Sequence, residues 1–303
     1  MSAEHAARAG ALEPIIVSEK STIDVSDQEF AQISKILLVN RDFNLEAYKD
    51  KCIRRRIAIR IRANHCASVK DYCDLLVADK HEIDHLLKVL TIHVSQFFRN
   101  LATFEKLRAE IIPHLFATAR QKGEKSLRFL SLGCSSGEEP YSLALILAEH
   151  FPREILEIPV TIDATDVDAG IIETAAKATY PHDRLLETPT NFITKYFSEE
   201  GMLYKLSPEI TKMVNFSNSD MFNNLTYRSC DLILCRNVMI YFAREQQEKV
   251  LANIAGSLGR HGFLVLGKSE TILGGSRTHF QTVCPVERIY RSLSSSSPMT
   301  GIL

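Results

Sequence analysis

The chain has 303 residues, of which 45% are hydrophobic and 24% charged, and its formal net charge at pH 7 is -1. These values are typical of a globular protein with room for two domains, and they give no overall reason to expect nucleic-acid binding. No apolar run approaches the roughly 20 residues of a membrane span, and no signal peptide is evident, so we expect a cytoplasmic protein without membrane insertion. The seven cysteines and ten histidines lack disulfide-framework and zinc spacings, so no metal site is expected.

The N-terminal part of the chain predicts a disordered tail followed by a small helical domain. Residues 1–22 are polar and alanine-rich, and we expect them to be disordered. Residues 23–90 are predicted to form an all-α domain, because Ser26 and Glu29 match a capping box and apolar residues then recur at helical spacing. The helices after the first are expected at about 45–64, 69–77 and 82–90.

The second predicted helix carries an apolar stripe and a basic surface. Ile53, Ile57 and Ile61 are spaced by four, which places them on one face. The cationic side chains of the same helix are Lys51, Arg54, Arg55, Arg56, Arg60 and Arg62. No acidic residue interrupts them, so two interpretations stay open: a solvated helix face, or a docking surface for an acidic partner.

A connector at 91–110, in which Phe97 and Phe98 are expected to pack in the core or between domains, leads to a second domain at 111–291. Strands there alternate with helices, which predicts a parallel sheet with right-handed crossovers. The strands are expected at 128–132, 160–165, 214–216, 230–235 and 262–267, with an antiparallel pair at 280–284 and 287–291. An inserted β-subdomain is expected at 181–214, with a hairpin of 202–206 and 210–214, and a disordered tail at 292–303.

Residues 126–140 predict a buried strand, a glycine loop and the start of a helix. Gly133 and Gly137 permit positive φ, and Glu138 and Glu139 suit the positive end of a helix. The spacing differs from the dinucleotide fingerprint and from the phosphate loop, and alone it is compatible with a packing role. However, ligands of open α/β sheets bind outside the carboxyl ends of the strands, where Asp166 is a candidate for gripping a ribose.

Polar residues follow four successive strands, at 133–139, Asp166, 219–221 and 236–241, which resembles the S-adenosylmethionine-dependent methyltransferase fold. The stretches 135–142 and 235–242, with Phe97-Phe98-Arg99 upstream, closely resemble the CheR-type chemotaxis-receptor glutamate O-methyltransferases over about residues 24–291. The resemblance implies an α/β, Rossmann-like methyltransferase domain with a small inserted β-subdomain, preceded by the all-α domain.

The resemblance also implies S-adenosylmethionine as the cofactor and S-adenosylhomocysteine as its product. Glu139 is expected to take the ammonium group, Asp166 the ribose, and Asp220 and Met221 the adenine. The complete implied set of cofactor-binding residues is His93, Ser95, Arg99, Glu139, Asp166, Asp220, Met221, Cys235 and Arg236. The family usually has asparagine at the positions of His93 and Asp220, which changes their hydrogen-bonding character.

The implied reaction methylates glutamate side chains of chemotaxis receptors to 5-O-methyl esters. Arg99 is expected to aim the acceptor carboxylate and Tyr241 to face the methylsulfonium, with a salt bridge and core packing as the respective structural alternatives. The acceptor would be a cytoplasmic coiled coil that docks on Lys51, Arg54, Arg55 and Arg62. Because the turn at 199–201 is short, we expect no C-terminal pentapeptide tether.

Two other functions stay open at this point. A nucleic-acid methyltransferase would use the arginine-rich helix, but the near-neutral net charge speaks against it, and we expect no nucleic-acid partner. A non-catalytic module that binds S-adenosylhomocysteine and signals through contacts is the other alternative.

Overall fold

The structure is a computed structural model that describes residues 23–41, 43–91, 95–223, 227–272 and 274–293, without the side chains of Lys51 and Cys52. The tail predicted at 1–22 lies outside the described residues. The tail predicted at 292–303 lies outside them from residue 294 onwards, whereas Ser292 ends the last strand.

The N-terminal domain is all-α, as predicted. Its helices are α1 Asp27–Arg41, α2 Asp50–Ala63, α3 Val69–Ala78 and α4 Lys80–Leu90. The capping box before α1 is present, since Ser26 N donates to Glu29 Oε2 at 2.9 Å and Glu29 N donates to Ser26 Oγ at 3.4 Å. The predicted apolar stripe of α2 is buried: Ile53, Ile57 and Ile61 pack in the core of this domain.

A long helical segment joins the two domains. It consists of α5 Leu101–Lys106, a π-helical turn at Leu107–Ile111 and α6 Ile112–Lys122. Pro113 explains the wide turn, because its ring has no N–H to donate and clashes with a normal preceding turn. The segment begins at Leu101, so it occupies half of the connector predicted at 91–110.

The second domain is an α/β domain. In chain order its strands are β1 Leu127–Leu132, β2 Val160–Asp166, β3 Thr179–Pro181, β4 Phe197–Glu200, β5 Leu203–Leu206, β6 Val214–Asn218, β7 Cys230–Cys235, β8 Leu258–Leu266, β9 Phe280–Cys284 and β10 Ile289–Ser292. Its further helices are α7 Glu138–His150, α8 Pro152–Glu157, α9 Ala169–Lys177, α10 Thr190–Tyr196, α11 Pro208–Thr211 and α12 Arg244–Ser257.

The main sheet has seven strands in the order β6-β2-β1-β7-β8-β10-β9. The first five of these are parallel, and β10 pairs antiparallel with both β8 and β9, which confirms the predicted sheet and its terminal hairpin. Both faces are buried. Leu232 and Leu234 of β7 pack in one hydrophobic cluster, whereas the alternate residues Ile233 and Cys235 pack in the cluster on the other face.

The inserted subdomain is a three-stranded antiparallel sheet in the order β3-β5-β4. The hairpin predicted between 202–206 and 210–214 is wrong, because β5 pairs with β4 instead. Pro208 starts the short helix α11, which spans residues 208–211 and so includes the first part of the predicted second strand. Val214 then enters the main sheet opposite Ile162.

The two domains meet at the loop after β7. Lys49 N donates to Tyr241 O at 2.8 Å, and Ala243 N donates to Ala47 O at 3.0 Å. Tyr48 lies edge-on to Phe242, with ring centroids 5.1 Å apart. These contacts hold the start of α2 directly beside the carboxyl end of the parallel sheet, where the candidate site lies.

Candidate active site

A cleft of about 900 Å³, including its open mouth, lies at the carboxyl ends of the parallel strands. It is at the point where the strand order reverses on either side of β1, the usual ligand position in such sheets. Most of the predicted site residues meet there: the cleft is lined by Ser95, Arg99, Glu139, Asp166, Asp220, Met221, Arg236 and Tyr241.

The glycine loop after β1 closes one side of the cleft. Gly133 has φ +68° and Gly137 has φ +91°, backbone conformations that residues other than glycine rarely adopt. A Cβ on Gly133 would lie 2.6 Å from Cγ2 of Val238, in the loop after β7. The glycine at residue 133 therefore lets the loop after β1 and the loop after β7 approach this closely.

Glu139 and Arg236 form a nearly buried ion pair across the cleft. Arg236 Nη1 donates to Glu139 Oε2 at 3.0 Å, and Ser131 Oγ donates to Glu139 Oε1 at 2.8 Å. The Arg236 side chain is only 2% exposed and also donates to Arg99 O at 2.7 Å and Asn100 Oδ1 at 3.2 Å. Arg236 thereby fixes both a carboxylate of the cleft and the backbone at Arg99.

Two aspartates line the cleft at the ends of β2 and β6. Asp166 is held by backbone amides, because its Oδ2 accepts from Ser135 N at 2.9 Å and its Oδ1 accepts from Asp168 N at 3.1 Å. Asp220 Oδ1 accepts from Phe222 N at 2.9 Å. Together with Glu139 they give the cleft three hydrogen-bond acceptors that carry negative charge.

The segment at 95–99 is held in place by the inserted subdomain. The Arg184 guanidinium donates to Ser95 O, and Phe97 N donates to Arg184 O at 2.9 Å. Phe97 is fully buried, as predicted for core packing, and its ring lies edge-on to Tyr180 at 4.8 Å between centroids. His93, the other predicted cofactor contact of this segment, lies outside the described residues.

The loop after β7 supplies Tyr241, which lies half-buried at the cleft. Its ring is covered by the Arg56 guanidinium at 5.5 Å from the centroid, a cation–π distance. Cys235, in contrast, is fully buried in the sheet, where burial raises the pKa of its thiol, and its side chain is not part of the cleft lining.

Two residues of this region were missed by sequence reasoning. Tyr48 lines the cleft from the N-terminal domain; burial raises the pKa of its hydroxyl, and the nearby Asp220 and Asp166 raise it further. Glu270, in the turn after β8, accepts hydrogen bonds from the backbone of the loop after β7. No local sequence pattern marks either residue, since each acts through a contact distant in sequence.

The basic surface of α2 divides into structural and exposed cations. Arg54 pairs with Asp50 at 2.6 Å and Asp27 at 2.7 Å, and Arg60 is similarly bound to the buried Glu82. Arg55 and Arg62 are exposed, while the Lys51 side chain lies outside the described residues. The exposed pair, and not Arg54 or Arg60, therefore faces solvent on this helix.

Within the described residues, no group of three or more metal-type ligands comes together. Among the described helices, none is long and apolar enough to cross a membrane.

Comparisons with known proteins identify the family. The all-α domain of the CheR methyltransferases matches residues 28–91, and their SAM-binding domain matches residues 93–288. Curated relatives include a chemotaxis protein methyltransferase of Listeria innocua, 32% identical over 82% of this chain and 91% of the relative. Another, from Borreliella burgdorferi, is 27% identical over 85% of this chain and 93% of the relative.

A third relative is much longer than this chain. An uncharacterized 104.1 kDa protein of Rhodobacter capsulatus is 30% identical over 90% of this chain, but the chain spans only 28% of that protein. The two matched domains and the chemotaxis relatives indicate the same family, and the cleft at the strand ends lies where such a domain binds its ligand. The chain belongs to the CheR methyltransferase family, with S-adenosylmethionine as its cofactor.

Proposed function

We propose that this protein methylates glutamate side-chain carboxylates of chemotaxis receptors and forms glutamate 5-O-methyl esters. The observation that carries the proposal is the composition of the cleft. Three carboxylates, Glu139, Asp166 and Asp220, share it with Arg99 and Tyr241, and no histidine is among the described residues that line it. Such a site suits a reaction that requires positioning of charged groups without a strong base.

The donor and acceptor inventory of the cleft fits S-adenosylmethionine. The ammonium group, the two ribose hydroxyls and the adenine amino group are hydrogen-bond donors, and the cleft presents carboxylate acceptors. We assign Glu139 to the ammonium group, Asp166 to the ribose, and Asp220 with Met221 to the adenine. Arg236 Nη1 donates to Glu139 Oε2 at 3.0 Å and so holds this carboxylate in place at the end of the cleft assigned to the ammonium group.

Further contacts to the cofactor are assigned to the segment before Arg99 and to the end of β7. Ser95 lies on the cleft wall, and His93, outside the described residues, is assigned by its position in the same segment. Cys235 precedes Arg236 with its side chain in the core, so any contact from Cys235 comes from its backbone.

The chemistry requires little from the protein beyond orientation. When bound, S-adenosylmethionine supplies a methyl group on a positively charged sulfur, which an acceptor carboxylate oxygen takes while the sulfur leaves as a neutral thioether. A glutamate has a pKa of about 4.3 and is already ionised near neutral pH, so no general base is needed. Correct orientation of two reactants can lower a barrier by about 7–11 kcal/mol.

Arg99 and Tyr241 are the proposed catalytic residues, and both line the cleft. The guanidinium of Arg99 can hold the acceptor carboxylate by charge-assisted hydrogen bonds. The face of an aromatic ring attracts positive charge, and the Arg56 guanidinium lies 5.5 Å from the centroid of the Tyr241 ring, which supports this role. Both therefore act on the charges that meet in the reaction.

The receptor is proposed to dock through α2. Arg55 and Arg62 are exposed on this helix, and α2 begins one residue after Lys49, which is bonded to the backbone of Tyr241. An acidic coiled coil held there would lie next to the cleft mouth. No peptide tether is proposed, because β4 and β5 have four residues each and are joined by a two-residue turn.

The experiment is label transfer from methyl-labelled S-adenosylmethionine to cytoplasmic receptor fragments or to nucleic acid. We expect label on the receptor fragments, and expect Arg99→Ala to abolish most of it. Arg108→Ala, which changes a half-buried arginine outside the cleft, should retain it. Label on nucleic acid alone would contradict the proposal. Binding of S-adenosylhomocysteine without any transfer to receptors would instead support a non-catalytic signalling module.

A further inference from the structure

The carboxylate of Glu270 binds four backbone amides at once. Its Oε2 accepts from Asn237 N at 2.8 Å and Gly267 N at 2.6 Å, and its Oε1 accepts from Val238 N at 2.9 Å and Ile240 N at 3.3 Å. The residue is only 5% exposed. Hydrogen bonds to an ionised acceptor are stronger than neutral ones, so this cluster is a rigid connection between the loops after β7 and β8.

The loop after β7 has few other ways to satisfy these amides. Asn237 has φ +59°, so the backbone at 237–240 does not continue the strand, and its N–H groups point away from the sheet ladder. Buried amides without partners are costly. Burial raises the pKa of the Glu270 carboxyl above its usual value, and the hydrogen bonds from the four amides offset only part of this rise.

The packing at Gly267 shows how closely the two loops are built around this carboxylate. A Cβ on Gly267 would lie 2.7 Å from Glu270 Oε2 and 2.8 Å from Asn237 N. The glycine therefore leaves the space in which the carboxylate and the loop after β7 meet.

The loop that Glu270 holds carries two functional side chains and one packing contact. Arg236 precedes the bound amides and pairs with Glu139, and Tyr241 follows them on the cleft wall. Val238, whose N–H is bound by Glu270, packs against Gly133 of the glycine loop. The position of one carboxylate thus determines where the loop places both side chains.

We infer that Glu270 is a positioning residue of the cofactor site, which acts by holding the loop at 236–241 so that Arg236 reaches Glu139 and Tyr241 faces the cleft. Glu270 itself does not line the cleft. The inference rests on S-adenosylmethionine binding in this cleft and is independent of which acceptor is methylated.

Glu287 provides a matched control for Glu270. It is also a buried carboxylate, at 8% exposure, and lies in the turn between β9 and β10. It accepts from Thr103 Oγ1 at 2.6 Å and lies 3.5 Å from Lys268 Nζ, with no bond to the loop at 236–241. Its neutralisation removes a buried charge without releasing that loop.

The test compares Glu270→Gln and Glu287→Gln by thermal unfolding without ligand and by calorimetric titration with S-adenosylhomocysteine. The glutamine presents an NH₂ group to amides that need an acceptor. We expect both variants to have a lower Tm, but only Glu270→Gln to bind at least tenfold more weakly, with Glu287→Gln within twofold of the wild type. Wild-type affinity for Glu270→Gln, or equal weakening in both variants, would overturn the inference.

A spectroscopic probe reports on the loop itself. The chain has no tryptophan, so Tyr241→Trp places the only tryptophan of the protein on this loop. We expect acrylamide quenching of that tryptophan to increase when Glu270→Gln is added and to stay unchanged when Glu287→Gln is added. Unchanged quenching with Glu270→Gln would contradict the inference.

If Glu270→Gln does not fold, Glu270→Asp takes its place in both measurements. It keeps the charge but is one methylene too short to reach all four amides, and we expect the same directions with smaller changes. Failure of the wild type to methylate receptors would overturn the proposed function and leave these affinity and quenching comparisons intact.

Discussion

Replacing Glu139 by glutamine tests the cofactor end of the site. The substitution keeps the size of the side chain and removes its charge, so Arg236, at 2% exposure, loses its carboxylate partner. Breaking a buried ion pair by removing one partner costs about 3–5 kcal/mol. Since the Glu139 side chain is 12% exposed and glutamine still offers one acceptor, we expect a loss near the lower end, about 3 kcal/mol, in the free energy of unfolding.

The same substitution removes the group assigned to the cofactor's ammonium. A hydrogen bond to a charged group contributes about 1.5–3 kcal/mol, which corresponds to a roughly 10- to 150-fold weaker binding of S-adenosylhomocysteine. Calorimetric titration measures this directly. Glu149→Gln is the matched control, because Glu149 lies on the same helix, pairs with Lys195 at 2.6 Å and is not part of the cleft lining.

A double-mutant cycle with Arg236→Met separates the pair from its neighbours. If Arg236 acts through Glu139, the coupling energy for unfolding should lie between about 0.5 and 3 kcal/mol, and Arg236→Met should weaken S-adenosylhomocysteine binding as well. Additive effects on stability, together with unchanged affinity in Glu139→Gln, would refute the assignment of Glu139 and Arg236.

Three further predictions follow from the site and its surroundings. Tyr48→Phe should weaken S-adenosylhomocysteine binding several-fold in calorimetry while the Tm stays near that of the wild type, because this cleft-lining residue keeps its ring and loses only its hydroxyl. Arg55→Glu combined with Arg62→Glu should raise the KM for receptor fragments and leave cofactor affinity unchanged, and the wild-type KM should rise with salt. Equal losses of receptor methylation and cofactor affinity in the double variant would indicate unfolding. The hydrogen bond from Lys195 lowers the pKa of Glu149, so the carboxylate stabilises the fold above its unfolded pKa and loses this effect as the pH falls through its folded pKa. The free energy of unfolding, measured between neutral and acidic pH, should therefore fall less steeply for Glu149→Gln than for the wild type.

The main sheet could be predicted from the sequence because its strands are buried on both faces. Runs such as Cys230–Cys235 are short, apolar and bounded by polar turns, which identifies them without knowledge of their partners. The carboxyl ends of those strands then had to meet at one edge of the sheet. Because Glu139, Asp166 and Asp220 lie at or after the carboxyl ends of those strands, they could be predicted to lie together, and all three line the cleft.

The inserted subdomain was harder to predict because its strands are short and partly exposed. Residues 210–214 are β-like in composition, but Pro208 starts a helical turn there and Val214 belongs to the main sheet. β4 is the mostly exposed run Phe-Ser-Glu-Glu, so its composition does not identify it as the strand that pairs with β5.

The basic helix shows the limit of reading charge from one segment. Acidic partners of Arg54 and Arg60 come partly or wholly from outside α2: Asp27 is the first residue of α1, and Glu82 lies on α4. A helix wheel contains no information on such partners. The role of Glu270 was not predicted for the same reason, because its four backbone donors belong to two loops that only the fold brings together.

The most direct test of the account is to identify the methylated side chain. Intact receptors from the same organism are incubated with the protein and S-adenosylmethionine, digested and analysed by mass spectrometry, with mild base treatment of a duplicate sample. The account predicts methyl groups on glutamate side chains of the receptor's cytoplasmic region, and predicts that base removes them as methanol. Base-stable methylation, or receptors that stay unmodified while nucleic acid is methylated, would contradict it.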